Sequence, residues 1–206
     1  DSSPSAHTIT NIGDVHHHID DNRTANTAMY FDGSSYITFP VTSAGNASLA
    51  SWAGDFTMEL WVKPMESRRE QNYFSYGDAS SNYMQFSQQG DDDLLFVHDY
   101  SGPHGLGCIG GNGQNKAKIF IWQHIAIVRT GGFIKGFLDG VCIGSTTSGA
   151  TTASAYDRGI TIGALEGASA YASKLKGFVD GVRVTKGMPR YTDGMPVDRQ
   201  SPHKRY

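Results

Sequence analysis

Two turn dipeptides divide the stretch from Lys118 to Ser145 into three short runs. Gly131-Gly132 accepts the positive φ of a tight turn, and Asp139-Gly140 is a strong signal for a two-residue hairpin. The first run, Ile119 to Arg129, is rich in Ile and Val and is apolar on both faces. We therefore predict an antiparallel meander whose first strand lies inside a sheet covered on both sides, and an all-β fold. Its other two strands are Phe133 to Leu138 and Val141 to Gly144.

Further strands are indicated along the rest of the chain. In Asp55 to Pro64, apolar Phe56, Met58, Leu60 and Val62 face one way, which predicts a core strand that Pro64 ends. Two apolar runs either side of Asp32-Gly33-Ser34-Ser35 predict a hairpin or a sharp bend. The other predicted strands span 73–77, 82–87, 94–98, 159–164 and 175–185.

The last predicted strand contains a charged residue. We interpret 175–185 as one continuous strand with Phe178, Val182 and Val184 on the same face. That interpretation places Asp180 on the inner face, where its carboxylate needs hydrogen-bond donors.

Bulk composition excludes several classes of function. The chain has 206 residues and a net charge of −3, from 17 Lys and Arg against 20 Asp and Glu, so it has no basic surplus for nucleic-acid phosphates. No apolar run approaches the ~20 residues of a membrane span, and no N-terminal segment predicts a signal peptide. Cys108 and Cys142 could form one disulfide, and we favour two buried free thiols.

Patterns that would indicate catalysis are missing. Retaining glycoside hydrolysis needs two carboxylates about 5 Å apart, and the glucanase-like Glu-x-Asp-x-x-Glu pattern is absent. No Gly-x-Ser-x-Gly elbow, P-loop or HExxH motif occurs. Glu59 shares a strand face with Trp61; the pair could form a sugar platform, but we favour a packed Trp beside a paired carboxylate. We expect no enzymatic activity.

The Gly-rich segment 99–115 is predicted to be a long loop, a type of segment that often carries function. With the acidic turn before it, this loop supplies the candidate ligand-binding residues Asp91, Asp92, Asp99, Tyr100 and His104. Carboxylates beside an aromatic ring suit sugar binding, and calcium could assist, although adjacent aspartates do not form a cage by themselves. A solvated acidic turn is the favoured alternative.

His16-His17-His18 is the other candidate metal site. Neighbouring strand residues point to opposite faces, so at most His16 and His18 could share an ion. We favour a solvated loop and predict no metal centre there, because no partner spacing supports zinc.

Several segments, in this order, resemble the laminin-G-like, concanavalin A-like jelly roll, a two-sheet antiparallel β-sandwich. They include Tyr30-Phe31-Asp32-Gly33, the Asp55 to Pro64 strand, Trp122-Gln123-His124-Ile125-Ala126, Phe137-Leu138-Asp139-Gly140, Ile160-Thr161-Ile162-Gly163 and Gly177 to Val184. The resemblance covers one domain, 1–192, followed by an extended tail, 193–206. It implies a sandwich that serves as an adhesive module or as a structural module.

Two segments narrow the resemblance to domains of tailed-bacteriophage virion proteins: Asp1 to His7 and Arg183 to Thr192. This implies a virion protein, either a capsid decoration or a tail fibre or tip component. Its partners would be other virion proteins, copies of itself (a homo-oligomer such as a trimer) or a host surface glycan. Relatives usually have an apolar first strand before the Asp-Ser-Ser-Pro turn, so we expect that strand to be missing or donated by another chain.

The basic tail residues Arg199, His203, Lys204 and Arg205 would dock against an acidic neighbour in a virion; a frayed terminus is an equal alternative. The alternative function is a calcium-assisted carbohydrate-binding module of a cellular surface protein.

Overall fold

The chain folds into two packed antiparallel sheets, each of seven strands, in a computed structural model. It describes residues 6–24, 26–40, 54–67, 70–77, 83–90, 94–100, 106–110, 115–147, 159–165, 167 and 174–192. The predicted all-β sandwich is confirmed. The described residues contain no helix, and so none that could cross a membrane.

The first sheet, sheet A, has the order β1-β4-β13-β6-β7-β8-β9. Its strands are β1 Thr10–Ile12, β4 Tyr36–Phe39, β13 Ile160–Ile162, β6 Glu70–Gly77, β7 Tyr83–Gln89, β8 Leu94–Tyr100 and β9 Leu106–Gly110. The second, sheet B, has the order β12-β11-β10-β5-β14-β3-β2. Its strands are β12 Val141–Thr147, β11 Phe133–Leu138, β10 Gln123–Thr130, β5 Phe56–Pro64, β14 Lys176–Lys186, β3 Ala28–Asp32 and β2 His16–His18.

The segment Asp32–Ser35 is a sharp bend and not a hairpin, because β3 and β4 belong to different sheets. Asp32 Oδ1 accepts hydrogen bonds from the backbone N–H groups of Ser34 and Ser35, which turn the chain from one sheet to the other. These bonds and the Ser34 hydroxyl stabilise the carboxylate and lower the pKa of Asp32 to about 2.

The predicted meander is confirmed as β10, β11 and β12. Asp139 and Gly140 both have positive φ, 49° and 82°, as a tight hairpin requires. The first strand begins at Gln123, later than predicted, because its partner β5 ends at Pro64 and 117–122 form a turn. Cys142, on β12, is a free thiol, as predicted, but it is half-buried and not buried, and the side chain of Cys108 lies outside the described residues.

The strand register builds the core from one row of apolar residues that crosses sheet A. Ile37, Ile162, Phe74, Phe86, Val97 and Ile109 are successive cross-strand partners. The first five are at most 8% exposed and belong to the main hydrophobic core. Sheet B supplies the opposing side chains, among them Met58, Leu60 and Ile125.

The outer face of sheet B is also covered, as the apolar character of β10 predicted. Trp61, Ala126, Val128 and Phe137 form a second apolar cluster there, and Tyr191 from the C-terminal segment packs on it. Arg23 lies over the Trp61 ring at 4.6 Å, and Trp61 is only 3% exposed. The packed-tryptophan interpretation of Trp61 is therefore confirmed.

Glu59 carries a buried charge at the centre of this outer face. Its carboxylate accepts hydrogen bonds from His124 Nε2 (3.1 Å), from the Arg183 guanidinium (2.5 Å) and from the Tyr191 hydroxyl. Arg190 lies 3.4 Å away. Burial alone would raise the pKa, but these donors outweigh it and lower the pKa of Glu59 to about 2.

The prediction for the last strand is wrong about which residues share a face. The register of β14 shifts between Asp180 and Arg183, where Gly181 has φ 59°. This bulge puts Asp180 opposite Trp61 and Arg183 opposite Glu59, so Asp180 lies on the outer face. The expected donors are present: the backbone N–H groups of Arg23 and Thr24, at 2.8 and 2.6 Å, and the Thr24 hydroxyl at 2.7 Å.

The pairing of β14 bears on the expected donated strand. β3 pairs with β14 only along Lys176–Val179, whereas β5 pairs with it as far as Lys186. Among the strands that the structure describes, none pairs with the other side of β14 over Val182–Thr185. The donated strand itself stays a prediction.

We expect Glu59→Gln to destabilise the fold by ~3–5 kcal/mol at pH 7, because it leaves buried cationic donors without their counter-charge. The wild type should lose about 3 kcal/mol as the pH falls from 4.5 towards 2, since the unfolded carboxyl takes up its proton first. Urea unfolding at pH 7 and pH 2 measures both effects. Glu66→Gln, which removes a partly exposed pair with Lys176, is the control. If the free energy of unfolding fell equally on acidification in Glu59→Gln and in the wild type, the lowered pKa of Glu59 would be contradicted.

At Gly177, β14 lies close against the backbone of β5. A Cβ there would lie 2.3 Å from the Lys63 carbonyl oxygen and 3.0 Å from Pro64 Cα. We expect Gly177→Ala to destabilise the protein by about 3 kcal/mol, because backbone atoms cannot move aside as a side chain can. Gly187→Ala is the matched control: it also has positive φ but meets no atom within 4 Å, so only the strain of about 1 kcal/mol remains. Equal thermal melts of the two variants would refute the clash.

Candidate functional site

The loop predicted to bind ligand is partly strand. Asp99 and Tyr100 end β8, where Asp99 pairs with Met84 and Gly107, and Tyr100 pairs with Tyr83 and Leu106. The prediction of one continuous loop over 99–115 is therefore wrong, because residues 106–110 add β9 to the edge of sheet A. Its glycines are tolerated in an edge strand. Asp91, Asp92 and His104 lie outside the described residues, so the predicted ligand set stays a prediction.

The predicted docking residues and the histidine cluster lie elsewhere in the chain. Arg199, His203, Lys204 and Arg205 lie outside the described part of the chain. His16 bonds Asp14 at 3.3 Å and His17 bonds Thr27 at 3.1 Å, from opposite sides of β2. Within the described ranges, no group of three or more His, Cys, Asp or Glu side chains is placed to hold a metal ion.

A polar row crosses the outer face of sheet A, one register position from the apolar core row. Its members are successive cross-strand partners on five strands: Thr10, Thr38, Thr161, Ser75 and Gln85. The polar row arises because side chains alternate between the two faces of a strand. In each central strand, one small or amide residue lies between two core residues in sequence. Sequence reasoning missed it, although Ile160-Thr161-Ile162 and Phe74-Ser75-Tyr76 carried the signal.

The centre of the polar row is buried. Thr38 is 7% exposed, Gln85 is 2% exposed, and Thr161 and Ser75 are fully buried. Ser75 donates to the Ala164 carbonyl at 2.9 Å, and Thr161 donates to the Thr38 hydroxyl at 3.5 Å. These hydroxyls hold one another and the backbone in place.

Two amides on this face keep unused hydrogen-bonding capacity. Gln85 Nε2 donates to Ser87 at 3.4 Å, but Gln85 Oε1 has no partner. Asn72, the cross-strand neighbour of Ser87, is fully buried, and neither its Oδ1 nor its Nδ2 has a partner. Buried amides without protein partners are costly, and ordered water usually satisfies them.

The two outer faces therefore differ in chemistry. The face of sheet B holds a buried carboxylate whose donors are all protein groups, and the C-terminal segment covers it. The polar row offers neutral hydroxyl and amide groups, which can both donate and accept hydrogen bonds. Such groups match the hydroxyls of a sugar, whereas glycoside hydrolysis would need a protonated carboxyl that Glu59, ionised at neutral pH, does not provide.

Comparison with solved structures finds the same fold in several other proteins. Domain 4 of the arabinanase AbnA from Geobacillus stearothermophilus, solved with arabinotriose, superimposes with a TM-score of 0.64 at 20% identity, over 87% of this chain and 82% of that one. The CBM40 domain of the Ruminococcus gnavus IT-sialidase, bound to α2,3-sialyllactose, gives 0.61 at 14% identity, over 84% and 94%. The receptor-binding domain of botulinum neurotoxin C/D gives 0.66 at 12% identity, over 92% and 45%. At these identities the likeness shows the fold.

No curated protein sequence matches the chain. A family profile does: residues 21–188 match a laminin G family of the concanavalin A-like lectin/glucanases superfamily. The match spans most of both sheets, including β5, the meander and β14. The chain is therefore a laminin-G-like member of the concanavalin A-like lectin/glucanases superfamily.

Proposed function

We propose that this protein is a non-enzymatic adhesion protein that binds a glycan on the outer face of sheet A. The observation that carries the proposal is the polar row of neutral hydroxyl and amide groups on this face. Such groups can both donate hydrogen bonds to sugar hydroxyls and accept hydrogen bonds from them. The sugar-bound states of the AbnA and CBM40 domains support a carbohydrate as the ligand class.

The place of action in this proposal is a virion. The support is the resemblance of Asp1 to His7 and of Arg183 to Thr192 to tailed-bacteriophage virion domains. The protein would stand on the particle as a homo-oligomer or beside other virion proteins and attach the particle to a host surface glycan. The basic tail with Arg199, Lys204 and Arg205 would supply the contact to the particle.

A glycan array probed with the purified chain, once with calcium and once with chelator, tests the function. We expect saturable binding that chelator leaves intact, because the polar row supplies hydrogen bonds without a metal. Binding that disappears with chelator would favour the calcium-assisted cellular module instead. A folded sample that binds no glycan would contradict the adhesion function and favour a decoration role held by protein contacts.

We expect Gln85→Met, a substitution of similar shape, to weaken glycan binding by about tenfold, since it removes hydrogen bonds at the centre of the polar row. Asn22→Ala is the control, because it deletes an exposed amide that lies outside sheet A. Unchanged affinity in a folded Gln85→Met variant would remove the site from the polar row. Asp99→Ala and Tyr100→Ala extend the experiment, and a loss in either would place the end of β8 within the site.

A further inference from the structure

A row of aromatic side chains lies on the outer face of sheet B, away from the cover formed by Tyr191. His16, Tyr30, Phe178 and Lys63 are successive cross-strand partners on β2, β3, β14 and β5. The ring centroids of His16 and Tyr30 are 5.4 Å apart, and those of Tyr30 and Phe178 are 5.2 Å apart. We call this set, with His18 and Trp122, the aromatic platform.

His18 and Trp122 complete the platform on either side of Phe178. The His18 ring meets Phe178 edge-on at 5.3 Å, and the Trp122 ring lies 6.4 Å from Phe178. Phe178 itself is buried at 5% exposure, but Tyr30, His18 and Trp122 are only half-buried and the His16 side chain is 48% exposed. Solvent therefore reaches rings that come from three separate elements of the fold: β2, β3 and the turn before β10.

Asp21 fixes the edge of the platform. Its Oδ1 accepts a hydrogen bond from Trp122 Nε1 at 3.0 Å, and its Oδ2 accepts one from Lys63 Nζ at 2.5 Å. The Asp21 and Lys63 side chains remain 25% and 18% exposed. Each carboxylate oxygen has a second lone pair and the ammonium has further protons, so both groups can bind another polar molecule.

We propose that the aromatic platform is a second carbohydrate site, which stacks one pyranose ring on Tyr30 and Trp122 while Asp21 and Lys63 hydrogen-bond its hydroxyls. A pyranose is apolar on one face and polar at its edge, and the platform has the same arrangement. The rings and the ion pair are held before binding, so little conformational entropy is lost when the sugar stacks.

Other occupants fit the geometry less well. A stable protein interface engages about 20–30 residues a side, far more than this platform presents. A quaternary ammonium ligand needs rings that surround it, whereas these rings lie in a row and Lys63 already lies 5.9 Å over Phe178. The site is on the opposite sheet from the polar row, so it does not rest on the function proposed for that row.

Nuclear magnetic resonance titration of the full chain with the methyl pyranosides of glucose, galactose, mannose and N-acetylglucosamine tests the proposal. The probe is the Trp122 indole N–H signal, assigned with Trp122→Phe. We expect at least one of the four sugars to shift this signal saturably. Tyr30→Leu and Asp21→Asn should each weaken the binding by about tenfold, because one loses the stacking ring and the other the charged acceptor.

Two controls separate this site from the polar row. Phe133→Leu removes another exposed aromatic of sheet B outside the platform and should leave the shift unchanged, as should Gln85→Met. Loss of the Trp122 shift in Gln85→Met would mean that the signal reports binding on sheet A, which overturns the proposal. A folded wild-type chain with no shift at saturating pyranoside, or a folded Tyr30→Leu variant with unchanged affinity, would overturn it as well.

Discussion

A single buried carboxylate organises the outer face of sheet B. Glu59 lies in the middle of β5 and its charge is removed from water, so the fold must bring donors to it. Those donors come from β10, from β14 and from the C-terminal segment that follows β14. The same contacts place Tyr191 on the apolar cluster of Trp61 and Phe137. The charge therefore links strand order, the covering of β10 and the path of the chain after Lys186.

The outer face of sheet A differs from this face in chemistry. Both sheets leave buried polar atoms without a protein partner, Trp61 Nε1 and His124 Nδ1 in sheet B and Gln85 Oε1 and the Asn72 amide in sheet A. Sheet B buries a charge among protein donors, whereas the polar row of sheet A is made of neutral hydroxyl and amide groups. The aromatic platform differs from both, because its apolar rings are partly open to solvent beside a polar edge. The two proposed sites thus use different chemistry on opposite faces of one sandwich.

The sequence predicted an element correctly where residues close together in the chain determine it. Gly131-Gly132 and Asp139-Gly140 set the two turns of the meander, because those residues accept backbone angles that others avoid. The alternation in β5 likewise predicted a core strand. The face predicted for Asp180 was wrong, because a bulge at Gly181 shifts the register of β14 and places the carboxylate on the outer face. Its donors there, Arg23 and Thr24, lie more than 150 positions earlier in the chain. The predicted ligand loop failed in a similar way, since β9 pairs with β8 across a sheet edge.

The sequence by itself determined the all-β class, the position of most strands and which residues alternate between apolar and polar, since these depend on residues close together in the chain. Only the tertiary structure decided which strands are neighbours. The polar row joins Thr38, Thr161, Ser75 and Gln85, and the platform joins His16, Tyr30, Phe178 and Trp122, from segments far apart in sequence. Alternation fixes the face of a side chain relative to its own strand, but register and sheet order decide what lies beside it, and both are set by long-range packing and bulges.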